Sequence, residues 1–172
     1  FNWSISSGTL PAGITLDAAT GALSGTPTAA GTANVTVTVS DANGESSSVP
    51  LALAVYAPPA IAADTFDPGY TGETYSKALS AAGGKAPLTW SISLGALPSG
   101  LTLDGANGTV GGTIGAAGIS NGQTYTFTAS VTDANGRVGT RSFTMTVFLP
   151  PAITTFALTT ATEGVTYMKA PG

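Results

Sequence analysis

The stretch LPAGITLDAATGALSGTP, residues Leu10–Pro27, returns later in the chain as LPSGLTLDGANGTVGGTI, residues Leu97–Ile114. Corresponding residues of the two copies lie 87 positions apart, and they include Trp3 and Trp90, Pro11 and Pro98, Asp17 and Asp104, and Gly25 and Gly112. An internal repeat of this kind defines the architectural unit before any single motif is considered. The chain is therefore built from at least two copies of one unit.

Downstream of Gly112 the offset between the copies is 92, because the second copy carries five extra residues near Gly115–Gln123. Three echoes share this offset: SDANG at Ser40–Gly44 with TDANG at Thr132–Gly136, PPAI at Pro58–Ile61 with PPAI at Pro150–Ile153, and TYSKA at Thr74–Ala78 with TYMKA at Thr166–Ala170. The repeats predict three segments. Residues 1–57 form a first repeat that lacks its N-terminal strands, residues 58–149 a complete second repeat, and residues 150–172 the first strands of a third.

The local pattern predicts antiparallel strands throughout. Val35, Val37 and Val39 alternate with polar residues, and the segments Tyr125–Val131 and Phe143–Val147 alternate in the same way. Such a period of two is typical of half-buried strands, and the DANG turns between them favour hairpins. A period near 90 suits one sandwich per repeat. We therefore predict an all-β chain of tandem Ig-like antiparallel β-sandwiches, with about seven strands each and a Trp in each core.

Composition argues against several classes of function. Charged residues make up 8% of the chain, against about 25% in ordinary soluble domains, which is typical of secreted and cell-surface β-proteins. The five basic residues are scattered, so we expect no nucleic-acid binding. No apolar run approaches the roughly 20 residues of a membrane helix, so we expect no membrane insertion. Cys and His are both absent, which removes the usual nucleophile, general base and metal ligands, and we expect no enzymatic activity.

The motif W-S-I-S, then L-P-x-G-[IL]-T-L-D-x-x-x-G-x-[LV]-x-G-T, then a D-A-N-G hairpin, resembles the putative Ig domain repeats of bacterial surface proteins. These are similar to dystroglycan-type cadherin-like domains. The resemblance covers essentially the whole chain, and the second copy departs from it after Gly112, where its loop is longer. It implies an Ig-like sandwich, tandem arrays and an extracellular or cell-surface setting, on bacteria, without implying one activity.

Four aspartates recur at turns and are the candidate metal ligands: Asp17, Asp41, Asp104 and Asp133. Calcium requires six to eight oxygen ligands, usually with several carboxylates close together, whereas each of these turns supplies one carboxylate. The alternative is turn chemistry, in which Asp accepts backbone N–H bonds and a following Gly supplies positive φ. We favour turn formation, keep calcium as the alternative, and expect no other cofactor.

Aromatic residues near the repeat boundaries offer a second binding hypothesis. Exposed rings stack on sugars, and the candidates are Tyr56, Phe66, Tyr70, Tyr75 and Phe148. The alternative is packing within or between the repeats, which the strand alternation favours. A glycan is therefore a candidate partner of an adhesin or carbohydrate-binding module.

The most specific functional hypothesis concerns contact between the last segment of one chain and the first segment of another. The tail after Pro150 has the sequence pattern of strands that the first repeat lacks, so it could fill the open edge of that repeat in another copy of the chain, as in strand addition. The alternative is that the chain is a window on a longer array. The candidate interface residues are Ala152, Ile153, Phe156, Leu158, Val165 and Tyr167. The chain is then a stalk or the subunit of a surface filament, and its partners are other copies of itself or neighbouring repeats.

Overall fold

A computed structural model describes residues 1–152 and 163–166, and its secondary structure there is entirely β-strands joined by turns and loops. The predicted all-β, Ig-like class is confirmed. Within the described residues, no helix is long and apolar enough to cross a bilayer.

The first repeat contains five strands: β1 (Asn2–Ser7), β2 (Ile14–Leu16), β3 (Leu23–Gly25), β4 (Gly31–Ser40) and β5 (Ser46–Val55). They form a three-stranded sheet in the order β1-β4-β5 and a two-stranded sheet β2-β3, and every pairing is antiparallel. The β4–β5 hairpin is the longest element, with ten consecutive pairs from Gly31–Val55 to Ser40–Ser46.

The second repeat contains nine strands: β6 (Ala60–Ile61), β7 (Gly69–Tyr70), β8 (Thr74–Ala78), β9 (Ala81–Ala82), β10 (Thr89–Gly95), β11 (Leu101–Leu103), β12 (Thr109–Thr113), β13 (Gln123–Thr132) and β14 (Val138–Phe148). One sheet has the order β10-β13-β14-β7, a second has the order β11-β12-β8, and β6 pairs with β9. The two main sheets reproduce those of the first repeat, and each has one additional strand, β7 or β8.

The period-two pattern places its apolar residues inside, as predicted. Phe127, Ala129 and Val131 of β13 are at most 1% exposed, and Met145 and Val147 of β14 are equally buried. Burying side chains of this size removes apolar surface from water, which is the main favourable contribution to folding. Buried Phe66 adds edge-on contacts, with ring centroids 5.1 Å from Phe127 and 5.3 Å from Phe143.

The pattern that both repeats share, Trp followed by the Asp–Gly turn, forms one local unit in each copy. Trp90 N–H donates to Gly105 O at 2.8 Å, and its ring lies against Gly108, whose φ is +75°. A Cβ on Gly108 would lie 2.7 Å from the ring, so only glycine allows this approach. In the first repeat Trp3 and Gly21 make the same contact, although Trp3 is only half-buried.

The second repeat has nine strands where about seven are predicted, and the additional strands β7 and β9 are two residues long. Strand β6 ends at Ile61, and Asp64 beyond it accepts bonds from Thr65 N–H and from Lys77 Nζ, at 2.8 and 3.0 Å. Strand β7 was not predicted, since two residues carry no periodicity. It pairs in parallel with the end of β14, through Gly69 with Val147 and Tyr70 with Phe148.

The Trp–Gly contact predicts that two glycine-to-alanine substitutions destabilise the fold by different amounts. Gly108→Ala should destabilise the second repeat by about 3 kcal/mol or more, because it combines left-handed strain with overlap against Trp90. Gly136→Ala is the matched control: its φ is +77°, but no atom lies within 4 Å of the added Cβ, so about 1–2 kcal/mol is expected. Chemical denaturation followed by Trp fluorescence measures both. Equal losses would show that the ring contact contributes nothing.

Candidate functional site

The aspartates of the two long turns, Asp17 and Asp104, make matching hydrogen bonds. Asp17 Oδ1 accepts from Ala19 N–H and Thr20 N–H, both at 2.9 Å. Asp104 Oδ1 accepts from the N–H groups two and three residues on, at 2.8 and 3.2 Å, and Asn107 Nδ2 donates to its Oδ2 at 2.8 Å. The carboxylates thus fix the turns that carry the glycines beneath the Trp rings.

The aspartates of the DANG hairpins are bound in a related way. Asp41 Oδ1 accepts from Asn43 N–H and Glu45 N–H at 2.8 and 3.0 Å. Asp133 Oδ1 accepts from Asn135 N–H and Arg137 N–H at 2.9 and 2.8 Å, while its Oδ2 accepts from Lys85 N–H at 3.0 Å. Asp133 is also buried, with 5% of its surface exposed, and it joins the hairpin to the loop before β10.

Hydrogen bonds to the ionised form shift the titration of three of these carboxyls. The Thr20 and Ala19 N–H groups hold the pKa of Asp17 below its usual value, and the Ala106 and Asn107 N–H groups do the same for the pKa of Asp104. The Lys85 N–H is the main cause that lowers the pKa of Asp133. Such groups stabilise the fold most when they are ionised.

The structure does not bring the four aspartates together as a shared metal site. In residues 1–152 and 163–166, no three acidic side chains are grouped closely enough to hold an ion. Each carboxylate is instead occupied by N–H donors of its own turn. The observed bonds support the favoured turn formation, and calcium binding stays the untested alternative.

The candidate sugar-stacking aromatics separate into buried and exposed groups. Phe66 is 7% exposed and stacks on half-buried Tyr75, so both belong to the core of the second repeat. Tyr56 and Tyr70 are 48% and 45% exposed. The Tyr70 ring lies 5.8 Å from that of Phe148, at the end of the second repeat that leads into the tail.

The first repeat exposes apolar residues whose counterparts in the second repeat are buried. Leu23 is 43% exposed, whereas Val110, 87 positions later, is fully buried. Leu51 is also 43% exposed, whereas Phe143, 92 positions later, is 5% exposed. We call the inner surface of the first repeat that contains Leu23, Leu51, Leu53 and Val55 the open face.

The cover over the corresponding surface of the second repeat comes from its own N-terminal strands. Strand β8 pairs with β12 over five residues, and Phe66 lies on Phe143. Strand β7 extends the other sheet beyond β14. The sequence pattern identified the open edge of the first repeat as the surface that the tail would fill, but not the residues of that surface. Subtracting 87 or 92 from each core position of the second repeat would have identified them.

The structure describes two of the six predicted interface residues. Ala152 and Val165 are exposed, and Val165 exposes 66% of its surface. The other four, Ile153, Phe156, Leu158 and Tyr167, lie outside the described residues. The predicted interface as a whole therefore stays a prediction.

The junction between the repeats is closely bonded to the second repeat. Gly84 N–H donates to Ala57 O at 2.8 Å, and Pro59 is buried with its carbonyl against Gly139, where an added Cβ would overlap it. Strand β5 ends at Val55, so only Tyr56 separates that strand from the first bonded junction residue. A cleft of about 640 Å³, here named the junction cleft, lies beside it, lined by Pro27, Leu53 and Tyr56 of the first repeat and Asn135 and Arg137 of the second.

The bonding of Asp133 predicts that its substitution lowers the stability of the fold more than the same substitution of Asp41. In Asp133→Asn an NH2 group replaces one carboxylate oxygen. That group then faces another donor, either Lys85 N–H or the hairpin N–H groups, and a hydrogen bond is lost. The melting temperature should therefore fall by roughly 5 °C. Asp41→Asn is the matched control, because the second oxygen of Asp41 meets only the side chain of Asn43. A smaller fall is expected there.

The folded-state pKa of Asp133 is lowered, so its stabilisation is complete above the ordinary carboxyl pKa near 3.9 and is lost as the pH falls below it. Asp133→Asn should therefore lose less stability than the unaltered chain between about pH 5 and pH 3. Melting curves across that range measure the difference. An identical pH dependence of the two proteins would contradict the role assigned to Asp133.

Comparison with known proteins gives one family and several distant structures. The model of the family described as "Putative Ig domain" matches residues 1–56 and 58–148. No curated protein matches the chain significantly. Among solved structures, the chain is similar to extracellular cadherin domains 3–6 of protocadherin gamma B2, with 13% identity and a TM-score of 0.49, covering 88% of this chain and 42% of that one.

Two further similar structures come from glycoside hydrolases. An endo-fucoidan hydrolase of glycoside hydrolase family 107 has 22% identity and a TM-score of 0.45, covering 87% of this chain and 23% of that one. A putative alpha-galactosidase from Bacteroides fragilis has 23% identity and a TM-score of 0.42, covering 52% and 17%. The chain thus spans between 17% and 42% of the length of these structures, and such distant likenesses carry no argument about function. Its family is established by the match to the family model: the chain belongs to the Putative Ig domain family.

Proposed function

We propose that the chain is a structural, extracellular Ig-like repeat protein, a stalk or filament-forming surface subunit that acts through contacts with other copies of itself. The family match supports an extracellular structural or adhesive role. The observation that carries the finer proposal is the open face, where Leu23 and Leu51 are exposed although the second repeat buries their counterparts.

The junction supports the role of a spacer. A flexible linker of many residues would let two domains reorient freely, whereas here a single residue lies between β5 and the bonded segment Ala57–Pro59. Pro58 and Pro59 restrict φ at the junction and favour an extended chain. Repeats joined in this way keep their spacing and resist bending, which is what a stalk or filament requires.

The open face supports head-to-tail completion. A sheet edge has unpaired N–H and C=O groups, and with apolar residues beside it such an edge favours pairing with another chain. The tail carries the pattern of the strands that cover the second repeat, with Pro150–Ile153 repeating Pro58–Ile61 and Thr166–Ala170 resembling Thr74–Ala78. We assign the tail of a second copy as the occupant of the open face. Contacts of this kind join different surfaces of successive copies, so they propagate into filaments wherever the rotation between copies does not close a ring.

Sedimentation velocity of the 172-residue chain over a concentration series tests this function. The chain should form oligomers that grow with concentration, and removal of residues 150–172 should leave monomers. A chain that stays monomeric at every concentration, or a shortened chain that still assembles, would exclude completion between copies. Compaction independent of concentration would mean that the tail folds onto its own first repeat.

Substitution of the open face provides a second test with a matched control. Leu51→Lys places a charge where the tail would pack, so assembly should be lost. Leu94→Lys makes the same change at a residue that is 73% exposed in the second repeat, and assembly should be retained. Circular dichroism of both variants establishes that the sandwiches remain folded. Equal assembly by both would locate the contact elsewhere.

One observation favours adhesion as a second candidate function. The exposed Tyr70 ring beside Phe148 offers an aromatic surface of the kind on which a sugar stacks. A glycan array, probed with and without a chelator, tests both the sugar and the calcium hypotheses. Absence of binding, together with no thermal shift on chelation, would eliminate this candidate.

A further inference from the structure

We propose that Asn121 is a deamidation site, at which the backbone nitrogen of Gly122 attacks the side-chain amide and converts the asparagine into aspartate or isoaspartate. The chain contains four Asn–Gly pairs, which begin at Asn43, Asn107, Asn121 and Asn135. Because glycine has no side chain to hinder the attack, each pair is reactive in an unfolded chain. The fold leaves one of the four in a reactive arrangement.

The reaction needs only water as a second reactant. The N–H of Gly122 loses its proton to hydroxide, and its nitrogen forms a bond to Cγ of Asn121 in an intramolecular step. The C–N bond of the side-chain amide then breaks, the NH2 group takes a proton from water and leaves as ammonia, and a cyclic succinimide remains. Hydrolysis at one or the other carbonyl of the ring gives aspartate or isoaspartate. Nothing is oxidised or reduced, and the chain gains a negative charge.

At three of the four pairs the nitrogen that would attack is held by its own turn. The glycine N–H donates to the carbonyl of the aspartate that begins the turn, at 2.9 to 3.3 Å: Gly44 to Asp41, Gly108 to Asp104, and Gly136 to Asp133. The Asn–Gly peptide of such a turn rotates only if this bond breaks, which raises the barrier to attack. The fold thus protects these three asparagines.

Gly122 has a different place in its turn. The turn over residues 120–123 is closed by Gln123 N–H on Ser120 O, at 3.1 Å, so the peptide between Asn121 and Gly122 lies at its centre. The φ of Gly122 is +76°, as the third residue of a type II turn requires. Rotation of the central peptide converts type II into type I and keeps the closing bond, and glycine adopts both signs of φ. Within the part of the chain that the structure describes, Gly122 N–H donates no hydrogen bond, so its approach to Cγ breaks none.

The amide of Asn121 is also polarised for attack. Leu149 N–H donates to Asn121 Oδ1 at 3.1 Å. Attack on Cγ places negative charge on that oxygen, and a donor already directed at it stabilises the charge. Asn107 Oδ1 accepts a similar bond from Thr109 N–H at 2.9 Å, but there the nitrogen of Gly108 is held. Among the four pairs, all of which the structure describes, only Asn121 combines a polarised amide with an unbonded glycine N–H.

The site is open to solvent, and its product alters a specific connection. Asn121 and Gly122 are both exposed, so water and hydroxide reach them. The bond to Leu149 joins the loop before β13 to the residue that follows β14. Aspartate keeps an oxygen for this bond, whereas isoaspartate adds a methylene to the main chain of the turn and displaces that oxygen. The loop contains the five extra residues of the second repeat, and the first repeat has no Asn–Gly pair there.

Incubation of the folded 172-residue chain in a mildly alkaline buffer tests this assignment. Tandem mass spectrometry of proteolytic peptides measures conversion at each asparagine, and a sample taken at time zero corrects for conversion during digestion. Asn121 should react at least about tenfold faster than Asn107, whose glycine N–H is held. In denaturant the four pairs should react at comparable rates, because no turn then holds a glycine N–H. No conversion at Asn121, or faster conversion at another pair of the folded chain, would overturn the proposal.

Two substitutions of Leu149 test the polarising bond separately. Leu149→Pro removes the N–H and should slow conversion of Asn121 about threefold or more. Leu149→Ala is the matched control, since it keeps the N–H, and it should react at the rate of the unaltered chain. Circular dichroism establishes that both variants are folded. Equal rates of the two variants, or a faster reaction of the proline variant, would overturn the role of the Leu149 N–H and leave that of the unbonded Gly122 nitrogen.

Discussion

The requirement to cover the inner faces of both sheets determines the rest of this structure. Each repeat places its large apolar residues between two small sheets, and neither sheet can bury them alone. In the second repeat the strands β7 and β8, with Phe66 between them, complete the cover, and Val110 and Phe143 lose nearly all contact with water. In the first repeat the same positions hold leucines with 43% exposure.

The aspartate turns serve the same requirement from the outside of the sandwich. By accepting N–H bonds from their own turns, Asp17 and Asp104 position the glycines on which Trp3 and Trp90 pack. Asp133 has an additional role, because its second oxygen bonds the loop before β10 to the hairpin. A carboxylate used in this way stabilises the fold through the N–H bonds that it accepts.

The junction packs the end of the first repeat closely against the second repeat. Gly83 and Gly139 allow the backbone of Ala57–Pro59 to lie directly against the second repeat, since a Cβ at either position would overlap the carbonyl of Pro58 or Pro59. The short connection also brings the hairpin that contains Arg137 beside the open face.

The sequence by itself determined the class and the repeat, because the offsets of 87 and 92 align the five strands of the first repeat with β10 to β14 of the second, and period two identifies the buried positions. It also identified the four aspartates and the likeness of the tail to residues 58–80, since these are patterns in the order of residues. The tertiary structure alone decided that β7 pairs in parallel with β14, that Leu23 and Leu51 are exposed, and that Arg137 shares a cleft with Tyr56 and Pro27. These features depend on contacts between segments distant in the chain, and two residues of strand or a single exposed arginine leave no periodic signal in the sequence.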